Sequence, residues 1–249
     1  MSAYKGYLIQ EDGDSYIGSI KSIDIPIVQD QHVLINVEFS SLNYKDALSA
    51  SGPKYGVTRE YPFVPGIDAA GKILESKSPN FNVGDEVIVT GYSMGMSVFG
   101  GFGEIVHVPA NWVVKLPKNM SLKESMNYGT AGLTAAASVR KIIDNGIDEK
   151  KPILVSGATG GVGSVAVNIL SKLGYEVHAL TGKNNEDIFL KTIGADSVVN
   201  RDDFIQDPVR PLDKALYGGA VDTVGGDILA KIISKVSPKS SISACGNVA

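Results

Sequence analysis

The residues whose types and spacing point to chemistry run from Ile153 to Leu170, as Ile-Leu-Val-Ser-Gly-Ala-Thr-Gly-Gly-Val-Gly-Ser-Val-Ala-Val-Asn-Ile-Leu. A short apolar run ends at Ser156, glycines and small residues follow, and apolar residues return at helical spacing, so the stretch predicts strand, tight turn and helix. A turn of this kind binds phosphate. Gly157, Gly160 and Gly163 permit a sharp bend, close approach of the backbone to a pyrophosphate and packing of helix on strand, while the helix N-terminus presents N–H groups without internal partners. Ala158, Thr159, Gly160, Gly161, Val162 and Gly163 are therefore expected to hold a dinucleotide. Ala158 stands where the common fingerprint has glycine, and the motif reads A-x-G-x-x-G. No charged residue occurs from Pro152 to Ser171, but the Gly/Ser/Thr cluster divides that apolar run, so no membrane span is expected.

The loop after the second strand of a dinucleotide fold separates the two nicotinamide cofactors, because an acidic side chain there bonds the ribose 2′-hydroxyl and repels a 2′-phosphate. Here that loop reads Thr181-Gly182-Lys183, with no carboxylate before Glu186. A hydroxyl and an ammonium suit a phosphate, and the expected cofactor is NADP(H). Arg201, after the third strand, can stack on adenine or reach the same phosphate.

These positions need a scaffold, and composition bounds it. A chain of 249 residues, 43% hydrophobic and 20% charged, can bury the core of one large or two modest soluble domains. A net charge of −4 and a pI near 5.4, with no five-residue run of like charge, argue against a nucleic-acid surface and favour small-molecule partners. Cys245 is the single cysteine, which excludes an intrachain disulfide and a cysteine-based zinc site. The N-terminus shows no signal-peptide pattern, and the cytoplasm is the expected compartment.

Up to about Lys118 the apolar period is mostly two. Val33, Ile35, Val37 and Phe39 alternate with more polar neighbours, and similar runs lie at Lys72–Leu74, Glu86–Val89 and Glu104–Val108, between Gly- and Pro-containing turns, so a barrel-like β domain is expected. Ser121 and Glu124 form a capping-box pair, and a second helix is expected from about Ala131 to Asp144. From Pro152 onward strands alternate with helices: strands at Ile153–Ser156, Glu176–Leu180, Ser197–Val199, Ala220–Val224 and Ser241–Ala244, with helices to about Leu173, from about Glu186, near Phe204–Leu216 and from about Asp227. That order predicts a doubly wound parallel sheet. The expected division is 1–120 for the β-rich domain, 121–150 for bridging helices and 151–249 for the nucleotide domain.

The glycine pattern also fits the turn of short-chain dehydrogenases, but that chemistry needs Tyr-x-x-x-Lys, and no tyrosine here has lysine four residues later. Several separated motifs instead carry a resemblance along most of the chain. Leu42-Asn43-Tyr44-Lys45-Asp46, Pro65-Gly66-Ile67-Asp68-Ala69-Ala70-Gly71, Phe81-Asn82-Val83-Gly84-Asp85-Glu86-Val87, Gly129-Thr130-Ala131-Gly132, the glycine turn, and Val221-Asp222-Thr223-Val224-Gly225-Gly226 occur in this order. With them the sequence resembles the medium-chain dehydrogenase/reductase superfamily, in its zinc-free quinone oxidoreductase branch of YhdH/YhfP type, related to acrylyl-CoA reductase.

The resemblance implies a GroES-like catalytic domain before a Rossmann-type domain, with NADPH and substrate held between them. Zinc-dependent relatives carry Gly-His-Glu where this chain has Gly66-Ile67-Asp68, and isoleucine cannot ligate a metal, so none is expected. Without a Lewis acid, hydride addition to an already polarised C=C bond, in a quinone, an enone or an acrylyl-CoA-like thioester, is a better fit than alcohol oxidation. The resemblance further implies that Asn43 and Tyr44 act on the substrate carbonyl, as hydrogen-bond donor and as donor or proton source. Asp46 is read as a helix cap. Thr130 and Thr134 are placed against the nicotinamide carboxamide, and Gly246 and Asn247 beside its ribose. Met94 and Met96, flanking a loop glycine, are expected to line a permissive substrate pocket. His32, His107 and His178 lack ligand spacing and are read as structural. Family members form homodimers and continue past the position of Ala249, so the chain is expected to be incomplete, with an open sheet edge at Ser241–Ala244 and reduced activity. A non-catalytic NADPH-binding protein is the remaining alternative.

Overall fold

The computed structural model describes residues 2–206, 208–210 and 213–246. By compactness the chain divides into two units, Met1–Thr130 and Ala131–Ala249.

The first unit opens with an antiparallel hairpin, β1 (Ala3–Asp12) and β2 (Ser15–Asp24). It continues through β3 (His32–Ser40), the short helix α1 (Tyr44–Ala50), β4 (Asp68–Ser76), β5 (Glu86–Thr90), β6 (Ile105–Pro109) and β7 (Val113–Lys115), and these five strands form one antiparallel sheet in the order β6-β3-β4-β5-β7. The expected alternation of Val33, Ile35, Val37 and Phe39 holds only in part. Leu34 is buried as well, because β3 is covered on both faces: Val33 and Ile35 pack with Ile73, Val87 and Val106, and Leu34 packs with Tyr4, Val28 and Ile105. The pairing register with β4 shifts between Val37 and Phe39, and Phe39 ends up exposed.

The helix α2 (Leu122–Asn145) contains one non-helical residue, Gly129, with φ 48° and ψ −150°. Its start carries the expected capping box: Glu124 N–H donates to Ser121 Oγ at 3.2 Å, and Ser121 N–H donates to Glu124 Oε2 at 2.8 Å.

The second unit alternates strand and helix: β8 (Ile153–Ser156), α3 (Gly161–Lys172), β9 (Val177–Thr181), α4 (Asp187–Thr192), β10 (Ser197–Asn200), α5 (Arg201–Ile205), β11 (Gly219–Asp222), α6 (Gly226–Lys235) and β12 (Ile242–Ala244). All strands run parallel, in the order β10-β9-β8-β11-β12. The strands are apolar at successive positions because both faces of the sheet are covered. Ile153, Val155 and Val221 pack with Ala135, Val139, Ala166 and Leu170 on one face, and Leu154, Leu180 and Ala220 pack with Phe204, Ile228 and Ile232 on the other. The expected doubly wound sheet is therefore present. The helix expected near Phe204–Leu216 is not: α5 ends at Ile205, and the described residues from Pro208 to Leu216 have no helix, in a stretch where Pro208 and Pro211 remove backbone donors. Among the described residues no helix is long and apolar enough to cross a membrane.

The strand order reverses between β8 and β11, so the crevice at their carboxyl ends is where such a sheet takes a ligand.

Candidate functional site

At the end of β8 the chain turns at Gly157, whose φ of +58° lies in the left-handed region, and a Cβ there would overlap the Thr223 hydroxyl. Gly160 N–H closes the turn on Gly157 O at 2.9 Å. Gly163, in the first turn of α3, is pressed against Gly157 O and the Ala158 Cα, leaving no room for a side chain. The departure from the common fingerprint also has a physical reason: Ala158 is 0% exposed, and its methyl is part of the core shared by Ala166 and Val221. Val162 packs against that core too. What remains open is backbone at Gly160 and Gly161, and the first amides of α3 have no acceptor one turn back. This cradle fits a pyrophosphate.

A pocket of about 700 Å³ adjoins the turn. Gly157 and Thr159 line it on one side, Thr181, Gly182, Lys183 and Arg201 on another, and Ile205, Val224 and Ile228 add apolar wall. Thr181 Oγ1 accepts from Lys183 N–H at 3.1 Å and lies 3.5 Å from Thr159 Oγ1, which draws the two loops together. The Arg201 guanidinium covers Gly182, where a Cβ would meet Cζ at 2.6 Å, and is held by Asp202 Oδ1 at 3.1 Å. The lining thus carries two cationic side chains and one carboxylate, Asp227. The pocket can take an adenosine between apolar walls with an anionic group beside Lys183 and Arg201.

In the first unit, Asn43 caps α1. Its Oδ1 accepts from Lys45 N–H at 3.1 Å, and Asp46 Oδ2 accepts from Asn43 N–H at 2.7 Å, so Asp46 completes the cap. Asp46 does more than that. It is 3% exposed, and its Oδ1 accepts from Gly66 and Ile67 N–H at 3.2 and 2.9 Å. Burial pushes its carboxyl above the usual range, against the amides of Asn43, Ile67 and Gly66 that hold it down, and the nearby Asp68 pushes it up further. Tyr44 is 66% exposed at the head of the helix.

Asp68, 1% exposed, accepts from Ser41 Oγ at 2.5 Å, from Thr130 Oγ1 at 2.6 Å and from Thr130 N–H at 2.9 Å. Thr134 lies half-buried on α2. Met94 requires a correction: it is 0% exposed and belongs to the sheet core with Val33, Val87 and Val106, so the flexible thioether fills a gap in packing and lines no substrate pocket. Met96 is half-buried and borders a pocket of about 390 Å³ with Arg59, Phe63 and Phe99. Gly246 packs against the Thr223 backbone, and Asn247 lies outside the described residues. Asp68, Ser156, Asp222 and Thr223, which are not among the expected site residues, also form hydrogen bonds that hold their own units together. A polar pair ending an otherwise apolar strand at the sheet's carboxyl edge is the signal that marks Asp222 and Thr223.

Residues 29–118 match the family model of the alcohol dehydrogenase GroES-like domain. The chain is 42% identical to the Bacillus subtilis protein YhfP, whose crystal structure has NAD bound, with a TM-score of 0.92 over 99% of this chain and 75% of that one. Against E. coli K-12 YhdH, solved with bound NADPH, the identity is 38% and the TM-score 0.91, over 97% of this chain and 74% of that one. The acrylyl-CoA reductase AcuI of Ruegeria pomeroyi is 38% identical over 95% of this chain and 72% of its own length. The chain thus spans about three quarters of these relatives. A GroES-like first half sets aside the short-chain dehydrogenase alternative, and with these relatives the chain belongs to the medium-chain dehydrogenase/reductase superfamily, in its zinc-free quinone oxidoreductase branch.

Proposed function

We propose that this chain is an NADPH-dependent reductase of polarised C=C bonds, acting on quinones or α,β-unsaturated carbonyl compounds, with acrylyl-CoA-like thioesters among them. The observation that carries the reading is the pocket beside the glycine turn, where Lys183 and Arg201 stand at the place an NAD site gives to a carboxylate. The relatives support it: structures of YhfP and YhdH hold NAD and NADPH, and AcuI is an acrylyl-CoA reductase.

In this reading the turn Gly157–Gly163 holds the pyrophosphate on backbone amides, Thr181, Lys183 and Arg201 hold the adenosine end, and Gly246 borders the nicotinamide ribose. Thr130 and Thr134 supply hydroxyls to the carboxamide. NADPH, when bound there, would supply the hydride that the electron-poor carbon accepts. Because the cap commits Asn43 Oδ1 to Lys45 N–H, the amide presents its Nδ2 donor to the substrate carbonyl, where negative charge develops. Tyr44 then delivers the proton that completes the reduction. Ile67 occupies the place of a metal ligand, so positioning and these donors stand in for a Lewis acid.

The test is NADPH oxidation across quinones, simple enones and acyl-CoA enones, with cofactor affinities measured on the same protein. Lys183→Asp should weaken NADPH relative to NADH by roughly tenfold to a hundredfold, the worth of one charge-assisted contact of ~1.5–3 kcal/mol. Equal affinity of the unmutated protein for both cofactors would sink the NADPH assignment. Cofactor binding without turnover across the panel would establish the non-catalytic alternative instead.

A further inference from the structure

Beneath the glycine turn lies a polar cluster to which the dinucleotide reading gives no task. Asp222, the last residue of β11, is fully buried. Its Oδ1 accepts from Ser156 Oγ at 2.5 Å and from Val224 N–H at 3.3 Å, and its Oδ2 accepts from Gly225 N–H at 2.9 Å. Ser156 Oγ in turn accepts from Thr223 N–H at 2.9 Å, while Thr223 Oγ1 donates to the Ser156 carbonyl at 2.9 Å. A buried carboxylate carries a desolvation cost of several kcal/mol unless its oxygens are satisfied. Here they are, and every partner lies at the carboxyl end of a strand beside the turn.

The placement matters because the backbone ladder stops short of the site. Pairing of β8 with β11 ends at Val155 and Val221, one residue before the network begins. Past that point side chains join the strands. The Thr223 hydroxyl occupies the space a Cβ of Gly157 would need, and Gly246 packs on the Thr223 backbone from the other side. Cys245 N–H reaches Asp222 O at 2.9 Å, so the end of β12 is tied to the same pair.

We infer that Asp222 and Thr223 are positioning residues for the dinucleotide, fixing the entry into the phosphate turn at Gly157 and the course of the chain at Gly246 relative to each other. The inference rests on the dinucleotide reading above. It concerns the part common to both nicotinamide cofactors, whereas Lys183 concerns the part that differs, and the two fail separately.

The experiment compares Thr223→Val, which keeps the bulk and loses the hydroxyl, with Thr223→Ser, which keeps the hydroxyl. NADPH and NADH affinities are measured by calorimetric titration, and thermal melting is followed without cofactor. Thr223→Val should weaken both cofactors by the same factor, about fivefold to tenfold for one neutral hydrogen bond, so that their ratio is unchanged. Thr223→Ser should bind like the unmutated protein even where its melting is lowered. If Thr223→Val does not fold, Thr223→Ala is the replacement, with the same loss expected. Unchanged affinity in the variant lacking the hydroxyl, or an equal loss in Thr223→Ser, would overturn the inference. Failure of the unmutated protein to bind either cofactor would overturn the dinucleotide reading and this inference with it.

Discussion

Around Gly157–Gly163 the backbone forms most of the binding surface, and, Thr159 apart, side chains are missing or turned inward: Ala158 points into the core and Gly163 has no space for a Cβ. Around Asn43–Asp46 the reverse holds. There Asn43, Asp46 and Asp68 spend their oxygens on backbone amides and hydroxyls of their own unit. The first region is sensitive to what is added, the second to what is taken away.

The largest effect is expected where a buried carboxylate is removed. Asp68→Ala would remove the carboxylate that accepts from Thr130 N–H, Thr130 Oγ1 and the Ser41 hydroxyl and open a cavity beside them, at a cost of about 2–4 kcal/mol. The loss should appear as a lower urea midpoint with little change in slope. A midpoint within error of the unmutated protein would mean that the first unit tolerates subtraction as well as the second.

A smaller effect is expected from addition at the turn. Gly163→Ala forces a methyl against Gly157 O and the Ala158 Cα, where backbone cannot yield, and should destabilise by about 1–3 kcal/mol while weakening NADPH binding. At Gly160 a methyl meets Gly157 O at 3.2 Å, a milder crowding than at Gly163, so Gly160→Ala should cost less than Gly163→Ala in denaturation. Equal costs at the two glycines would break the claim that space, and not glycine as such, sets the tolerance.

The same contrast explains what the sequence made legible. The turn was readable because a backbone site leaves its requirement in residue type: glycine where φ is positive or packing is closest, and a strand and helix on either side. That Lys183 and Arg201 line one pocket with the turn is legible because loop positions in a doubly wound sheet follow from strand order. Met94 is not legible as core because a thioether serves a core and a pocket equally well, and only the three-dimensional packing distinguishes them. Strand-end position marks Asp222, but the partners of Asp68 and Asp222 are not legible, for a similar reason. Their partners lie as far away as Thr130 and Ser156, separations of 62 and 66 residues, and no local spacing records such contacts. The helix expected to Leu216 stops at Ile205 because Pro208 lacks the backbone donor that apolar periodicity does not register.

The smallest expected effect is a pH dependence arising from a half-buried polar group of the first unit. His107 on β6 and Glu75 on β4 pair with Leu34 of β3 from its two sides, and the His32 ring lies 5.0 Å from that of His107. Burial holds the His107 imidazole below its ordinary range, His32 pushes the same way, and Glu75 opposes both. Its Nε2 faces Gln29 N–H at 3.5 Å, a contact that suits the neutral ring and is lost on protonation. In the unfolded chain the same histidine titrates near pH ~6.5. Between the depressed folded value and about pH 6.5 the unfolded chain therefore binds more protons, so stability is full above that window and falls as pH drops through it. His107→Gln keeps an acceptor for Gln29 and removes the titration. Its urea midpoint should vary less with pH below about 6.5 than that of the unmutated protein, with the two curves converging in slope above it. Parallel curves through the whole range would show that this imidazole is no worse off folded than unfolded, and that the price of burying polar groups in the first unit falls on its carboxylates alone.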